Sequence, residues 1–281
     1  AETRFSALFN KVYVVNVLSE ESREKCLKEL EADTGKKFAW LKESYGKEHW
    51  VLYDTDVFEV RGIDEYLHIK KLWCAPHIPV NATTCHLMFR GCGNIDFSNF
   101  YTNNVVDMSY MFYNADNTIK LDLSRFDTKN IVTMCCMFMN CKNLKQLDLS
   151  GFSTGNVCEM TNMFFRCSSL EQVNLSGLDT HNVEYMGQMF YGCKSLEQLD
   201  LSSFNTEKVL YMVEMFSNCK SLKQLDLSHF NTEKVVSMQH MFTNCSELEQ
   251  LNISNFDTRC TSFMDGMFWG CLRLTNLDIS S

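Results

Sequence analysis

Proline is nearly missing from this chain. Pro76 and Pro79 are the only two among 281 residues, close together in Trp73-Cys74-Ala75-Pro76-His77-Ile78-Pro79. Proline interrupts both helix and sheet ladder, so this segment marks a domain boundary and the long stretch after it is free to repeat without a break. No apolar run approaches the roughly 20 residues needed to span a bilayer, which excludes a transmembrane segment in this chain. There is no secretory leader. The chain opens with Ala1 and closes partway through a repeat at Leu277-Asp278-Ile279-Ser280-Ser281. It is therefore expected to be a piece of a longer protein, with any export signal or anchor outside it. The 14 cysteines contain no Cys-x-x-Cys pair, unlike a zinc module or a small disulfide scaffold. Gly-x-Ser-x-Gly, His-Glu-x-x-His and the phosphate-binding P-loop are all lacking, so no catalytic constellation and no cofactor are expected. Cationic excess is lacking too. The net charge is −9, with 12 Lys+Arg against 14 Asp+Glu in residues 1–80 and 14 against 21 in residues 81–281. Nucleic-acid binding, which depends on neutralising phosphates, is disfavoured.

What is present is a period. Fifteen of the 16 methionines fall in two columns of one repeating unit. Met-Phe recurs at Met88, Met111, Met137, Met163, Met189, Met215, Met241 and Met267, first after 23 residues and then every 26. Self-similarity at such a period is the mark of a stacked repeat architecture.

One copy reads Leu196-x-x-Leu199-Asp200-Leu201-Ser202-x-Phe204-x-Thr206-x-x-Val209-x-x-Met212-x-x-Met215-Phe216-x-x-Cys219. In its first half Leu199 and Leu201 alternate with Gln198, Asp200 and Ser202, the period of a short strand. Val209, Met212, Phe216 and Cys219 follow at the spacing of one helical face, about three turns long. Between the halves stands an Asx or Ser (Asp127, Ser153, Asp179, Asn205, Asn231, Asp257) and then a threonine unbroken from Thr102 to Thr258, residues that close turns and cap helices. The first copies are irregular: three residues are lacking before Ile95-Asp96-Phe97, Ala115 replaces cysteine and Thr118 replaces leucine.

The unit resembles a leucine-rich repeat, and more closely the 26-residue repeats of the BspA-like leucine-rich surface proteins of bacteria. The resemblance is carried by stretches such as Leu147-Asp148-Leu149-Ser150-Gly151-Phe152-Ser153-Thr154-Gly155-Asn156-Val157, followed by Met160, Met163-Phe164 and Cys167, and it covers about residues 82–281. One departure is the column Phe100, Phe126, Phe152, Leu178, Phe204, Phe230 and Phe256, where many leucine-rich repeats carry asparagine; a phenyl spine replaces an amide ladder. The resemblance implies a surface-displayed or secreted protein with a role in adhesion or host interaction.

The expected fold is α/β: a small N-terminal or capping domain over residues 1–80, then over 81–281 a leucine-rich-repeat-like solenoid of seven to eight coils, with parallel strands on one side and short helices on the other. Within 1–80, Val12 to Leu18 and His49 to Val60 read as strands, and Ser19 to Ala32 as a charged helix. The cysteine column Cys92, Cys141, Cys167, Cys193, Cys219, Cys245 and Cys271 reads as buried free thiols, and the methionines as flexible core filler. Cys74, His77, Cys85, His86 and Cys92 match no common zinc spacing.

The aspartates Asp96, Asp122, Asp148, Asp200, Asp226 and Asp278, with Asn174 and Asn252, would line the exposed strand face about 4.8 Å apart. Hydrogen bonds from the adjoining serines are expected to relieve their repulsion, and no calcium loop is present. The candidate binding residues are Gln146, Asp148, Gln172, Asn174, Gln198, Asp200, Gln224, Asp226, Gln250 and Asn252, with a protein or a glycan as partner and no metal. The alternative is a repeat scaffold attached to a sugar-nucleotide-transferase-like enzyme in or upstream of residues 1–80, which rests on Asp54-Thr55-Asp56.

Overall fold

A computed structural model describes residues 102–275 without a break, together with 277 and, before 102, with 12–13, 24, 28, 32, 38–45, 47–54, 85, 89–91 and 95–97. The first strands are β1 (Val12–Tyr13), β2 (Phe38–Tyr45), β3 (Lys47–Asp54) and β4 (Ile95–Asp96). β2 and β3 form an antiparallel hairpin that pairs Phe38 with Asp54 and Tyr45 with Lys47. β1 runs parallel to β4. The expected strand at His49–Val60 thus begins earlier and has a partner, β2, that periodicity did not show; residues 14–18 and 55–60 lie outside the described residues. Glu24, Lys28 and Ala32 are helical and exposed, four residues apart on the outer side of the expected helix.

The repeats contribute β5 (Gln146–Asp148), β6 (Gln172–Asn174), β7 (Gln224–Asp226) and β8 (Gln250–Asn252). β5 pairs in parallel with β6 and β7 with β8, each residue against the one 26 positions on. Leu147, Leu225 and Leu251 point inward between exposed polar neighbours, so the period-two pattern does what it predicts. Gln198–Asp200 keeps the alternation, with Leu199 half-buried, but forms no ladder of its own; the strands therefore make two small sheets. A second series of parallel bridges runs Asp107–Thr133–Glu159–Tyr185–Tyr211–Ser237–Phe263, again at a constant 26. This is a repetitive, β-rich fold.

The expected helices are absent: no helix occurs among the described residues of the repeats. The residues proposed for the helical face are nonetheless buried, with Val209, Met212, Phe216 and Cys219 all at most 1% exposed, and Met215 beside them is fully buried too. Their backbone is a chain of turns. Met215, Ser217 and Cys219 donate their amides three residues back, to Met212, Glu214 and Phe216. Met212, Glu214, Phe216 and Asn218 donate to Ser237, Gln239, Met241 and Thr243 of the next repeat, at 2.7–3.0 Å. Two left-handed residues per repeat, here Glu214 (φ 52°) and Asn218 (φ 62°), turn every second amide outward. A helix would keep all its amides to itself. Here they bind one repeat to the next.

The core continues that register. Phe89, Phe112, Phe138, Phe164, Phe190, Phe216, Phe242 and Phe268 form one run of near-parallel rings with centroids 5.3–5.8 Å apart. Of the second spine, Phe126, Phe152, Phe204, Phe230 and Phe256 are buried as expected and Leu178 sits among them 1% exposed, while Phe100 lies outside the described residues. Threonine caps no helix. Thr180 Oγ donates to Asn205 O at 2.8 Å and accepts from Asn205 N at 2.8 Å, and the buried Thr102, Thr128, Thr154, Thr206 and Thr232 also donate to the following repeat. The Asx residues close turns: Asn205 and Asn231 each accept the amide two residues on at 3.0 Å.

The cysteine column is a thiol ladder. Cys141, Cys167, Cys193, Cys219, Cys245 and Cys271 donate to the carbonyls of Phe112, Phe138, Phe164, Phe190, Phe216 and Phe242, at 3.0–3.2 Å. Burial pushes the Cys219 thiol up to about 12 and raises Cys167 and Cys193 as well. These thiols should be inert in the folded chain and titrate with a thiol reagent only on denaturation, while reductant leaves the melting temperature unchanged. A drop of many degrees in reductant would reveal structural disulfides instead.

Candidate functional site: the polar strand face

All ten residues expected to bind a ligand line open grooves along the strands. The largest of three such grooves, about 670 Å³, is bordered by Gln198, Asp200, Gln224, Asp226, Gln250 and Asn252, and one of about 320 Å³ by Gln146, Asp148, Gln172 and Asn174. A third, of about 490 Å³, lies between them at Gln172, Gln198 and Asp200. Leu199, Leu225 and Leu251 lie between the polar residues of the largest groove and Leu147 and Val173 between those of the smallest.

The carboxylates are held by their own strand ends. Asp148, Asp200 and Asp226 each accept the amide of the serine two residues on at 2.9 Å, through Oδ1. Asp122 accepts both the amide (3.1 Å) and the hydroxyl (2.7 Å) of Ser124; Asn174 takes the same two bonds from Ser176. These amides hold Asp148, Asp200 and Asp226 below the ordinary carboxylate range, and the Ser124 hydroxyl does so for Asp122. Serine bonding, one of the expected remedies for stacked charge, is thus in place. The aspartates are anions at neutral pH and poor proton donors.

The rim carries its own compensation. Lys145 pairs with Glu171 at 3.5 Å, Lys223 with Glu197 at 2.7 Å, and Arg273 with Glu249 at 2.8 Å. The Lys223–Glu197 hydrogen bond raises the lysine. Gln146 Nε2 donates to Gln172 Oε1 at 3.4 Å. With these rim charges paired, the face keeps the charge of the aspartate column and of Lys120, which lines the groove of about 320 Å³. The face offers ordered acceptors and amides, with only Leu199 and Val173 half-buried between them, suited to holding hydroxyl or peptide groups.

Because the folded aspartates titrate low, their contribution to stability is complete above the unfolded value of about 3.9 and fades as pH falls through the folded values. Asp257, held down to about 2 chiefly by the Arg259 guanidinium, sets the lower end of that window. The melting temperature should stay level from neutral pH to about 5 and fall below about 4. Substituting Asn for Asp148, Asp200 and Asp226, as at Asn174 and Asn252, should flatten that fall; an unchanged acid profile would mean the column does not govern it.

Other expected sites come out differently. Cys85 is fully buried, with its amide on Asp107 O at 2.8 Å, so it sits in the core; Cys74, His77, His86 and Cys92 lie outside the described residues. Asp54 ends a strand of an antiparallel hairpin, and Asp56 lies outside the described residues. Side chains of Asp96 and Asp278 do as well. Among the described residues, no group of three or more His, Cys, Asp or Glu is placed to hold a metal. The second bridge ladder was missed: Tyr185 and Tyr211, each 40% exposed, stack on it at 5.7 Å. Their 26-residue separation was the available signal, hidden by their assignment to helices.

A family model described as "Mycoplasma protein of unknown function, DUF285" matches residues 83–198 and again 162–281. The chain belongs to this family. Its two DUF285 matches overlap and together cover the repeats from just after the proline segment. No curated protein and no solved structure matches the chain. No helix of the described residues is long and apolar enough to cross a membrane.

Proposed function

We propose that this chain is a non-catalytic binding module. Its repeats form a leucine-rich-repeat-like solenoid of the BspA-like kind, displayed at the cell surface or secreted, and its strand face takes a protein or glycan in adhesion or host interaction. The observation that carries this reading is the lining of the strand-face grooves. Ionised, serine-bound aspartates alternate there with glutamines, with no cysteine or histidine among the lining residues. Such a surface gives hydrogen bonds and shape to a ligand, and its lining hydroxyl, Ser195, and lining lysine, Lys120, have no histidine among the lining residues to serve as a base. Repeated columns suit an extended partner, which can meet the same contact at successive repeats.

The test is a binding screen of the full chain against purified extracellular-matrix proteins and a neutral-glycan panel. Each hit is then measured again with Gln198, Asp200 and Gln224 changed to Ala. These side chains are exposed, so the variant should melt within a few degrees of the parent. Binding should weaken by about tenfold or more, since each lost contact contributes on the order of 1 kcal/mol. A ligand held equally well by the variant would place recognition elsewhere.

A further inference from the structure

We propose that a second surface of this protein, the band at the end of the turn segment in four consecutive repeats, binds an acidic polysaccharide carrying sulfate or carboxylate groups along its length. The band comprises residues 139–143, 165–169, 191–195 and 217–221. These segments carry Lys142, Arg166, Lys194 and Lys220 and not one Asp or Glu, on a chain whose net charge is −9. The equivalent segments on either side contain Asp116 and Glu247, so the cationic stretch is bounded.

All four cations are exposed. Arg166, Lys194 and Lys220 have no carboxylate partner among the described residues, and Lys142 reaches only Asp116, at 3.5 Å. This contrasts with the strand-face rim, where Lys145, Lys223 and Arg273 are all paired. The Arg166 guanidinium lies 5.1 Å from the Phe165 ring centroid and 6.0 Å from that of Tyr191. That contact holds the charge on the surface and uses none of its five N–H donors. Ser169, Ser195 and Ser221 stand one column further along; the Ser195 hydroxyl donates to Ser168 O at 2.9 Å, and Ser195 also borders the 490 Å³ strand-face groove, where the two surfaces adjoin. Repeats bridged in parallel at a constant register lie about 4.8 Å apart, so the four cations extend over about 14 Å. Over that length a linear polysaccharide presents several anionic groups in a row.

Two other polyanions fit less well. A single-stranded nucleic acid gains much of its affinity by stacking bases on free aromatic faces. Here Phe165 and Tyr191 face each other at 4.7 Å with Arg166 over both. A membrane surface needs apolar side chains to insert beside the cations. None of the exposed large hydrophobic residues falls in the band.

The full chain should bind a heparin oligosaccharide, with an affinity that falls as salt rises, and should ignore neutral dextran. Changing Lys142, Arg166, Lys194 and Lys220 to Gln should weaken that binding by about tenfold or more and flatten its salt dependence, with the melting temperature unchanged. If this variant does not fold, Lys194→Glu and Lys220→Glu, both at exposed positions, serve the same purpose. Lys208→Gln with Lys234→Gln, lysines of another column, should have no effect. Three outcomes would overturn the proposal: no heparin binding by the parent chain, equal binding by the band variants, or tighter binding of poly(dT) or phosphatidylserine vesicles through the same residues.

Discussion

Replacing Phe190 with alanine should lower the unfolding free energy by about 3–5 kcal/mol. Its ring is fully buried, between Phe164 at 5.3 Å and Phe216 at 5.8 Å. Removing it takes away the transfer energy of a phenyl group and leaves a hole in the middle of the stack. Collapse into that hole is resisted on both sides. Phe164 N donates to Met189 O at 2.8 Å, Phe190 N to Met215 O at 2.9 Å, and the Cys219 thiol to Phe190 O at 3.1 Å. Closing the gap would strain these bonds, so the cavity should persist. The damage should also stay local, since a repeat touches mainly its two neighbours. Amide hydrogen exchange should therefore accelerate most around Phe164 and Phe216 and least near Phe112 and Phe242. A denaturant midpoint shift equivalent to less than about 1 kcal/mol, or uniform acceleration along the chain, would show that the ring stack does not carry the core.

That stack was legible in the sequence, and so was its register. A Met-Phe pair at a fixed interval leaves few ways to bury itself except under its own copy in the next repeat. The inward Leu225 and outward Gln224 and Asp226 follow from period two alone. The rim ion pairs also show in the sequence, because Lys145 precedes Glu171 and Glu197 precedes Lys223 at the same offset. The helix was misread because Val209, Met212, Phe216 and Cys219 keep a spacing that two structures share. A helix and a run of turns with a left-handed residue every fourth position both return side chains to one side at such intervals. One column did hold the distinguishing signal: Asn114, Asn140, Gly192, Asn218, Asn244 and Gly270 all have positive φ, a conformation asparagine and glycine tolerate, and Arg166 is the one exception in residue type. The other left-handed column, Tyr110, Cys136, Asn162, Gln188, Glu214, His240 and Gly266, carries asparagine or glycine only twice, since tertiary hydrogen bonds impose the conformation. The cationic band went unread for the same reason, since Arg166 belongs to the segment taken for a helix and Lys194 follows it directly.

Glycine at 177 should be as hard to replace as glycine at 151, one repeat earlier, is easy. A β-carbon at Gly177 would lie 2.5 Å from Leu149 O and would also overlap Ser150 O, whereas one at Gly151 would meet nothing within 4 Å. Neither obstacle is the tip of a flexible side chain, so relief requires the backbone of 149–150 to move. That backbone is not free: Ser150 N is bound to the Asp148 carboxylate at 2.9 Å, and Leu149 N donates to Asn174 O at 2.9 Å. The tight approach coincides with the one place where the second spine carries leucine, Leu178, between Phe152 and Phe204. Gly177→Val should therefore cost about 3 kcal/mol, the upper end of what overpacking usually costs, while Gly151→Val stays within about 0.5 kcal/mol. The loss should reach the candidate site, because the displaced residues support Asp148 and Asn174. Restoring stability by pairing Gly177→Val with a smaller residue at Leu178 would argue against a backbone clash and for simple crowding of side chains. No recovery in that double variant is the expected result.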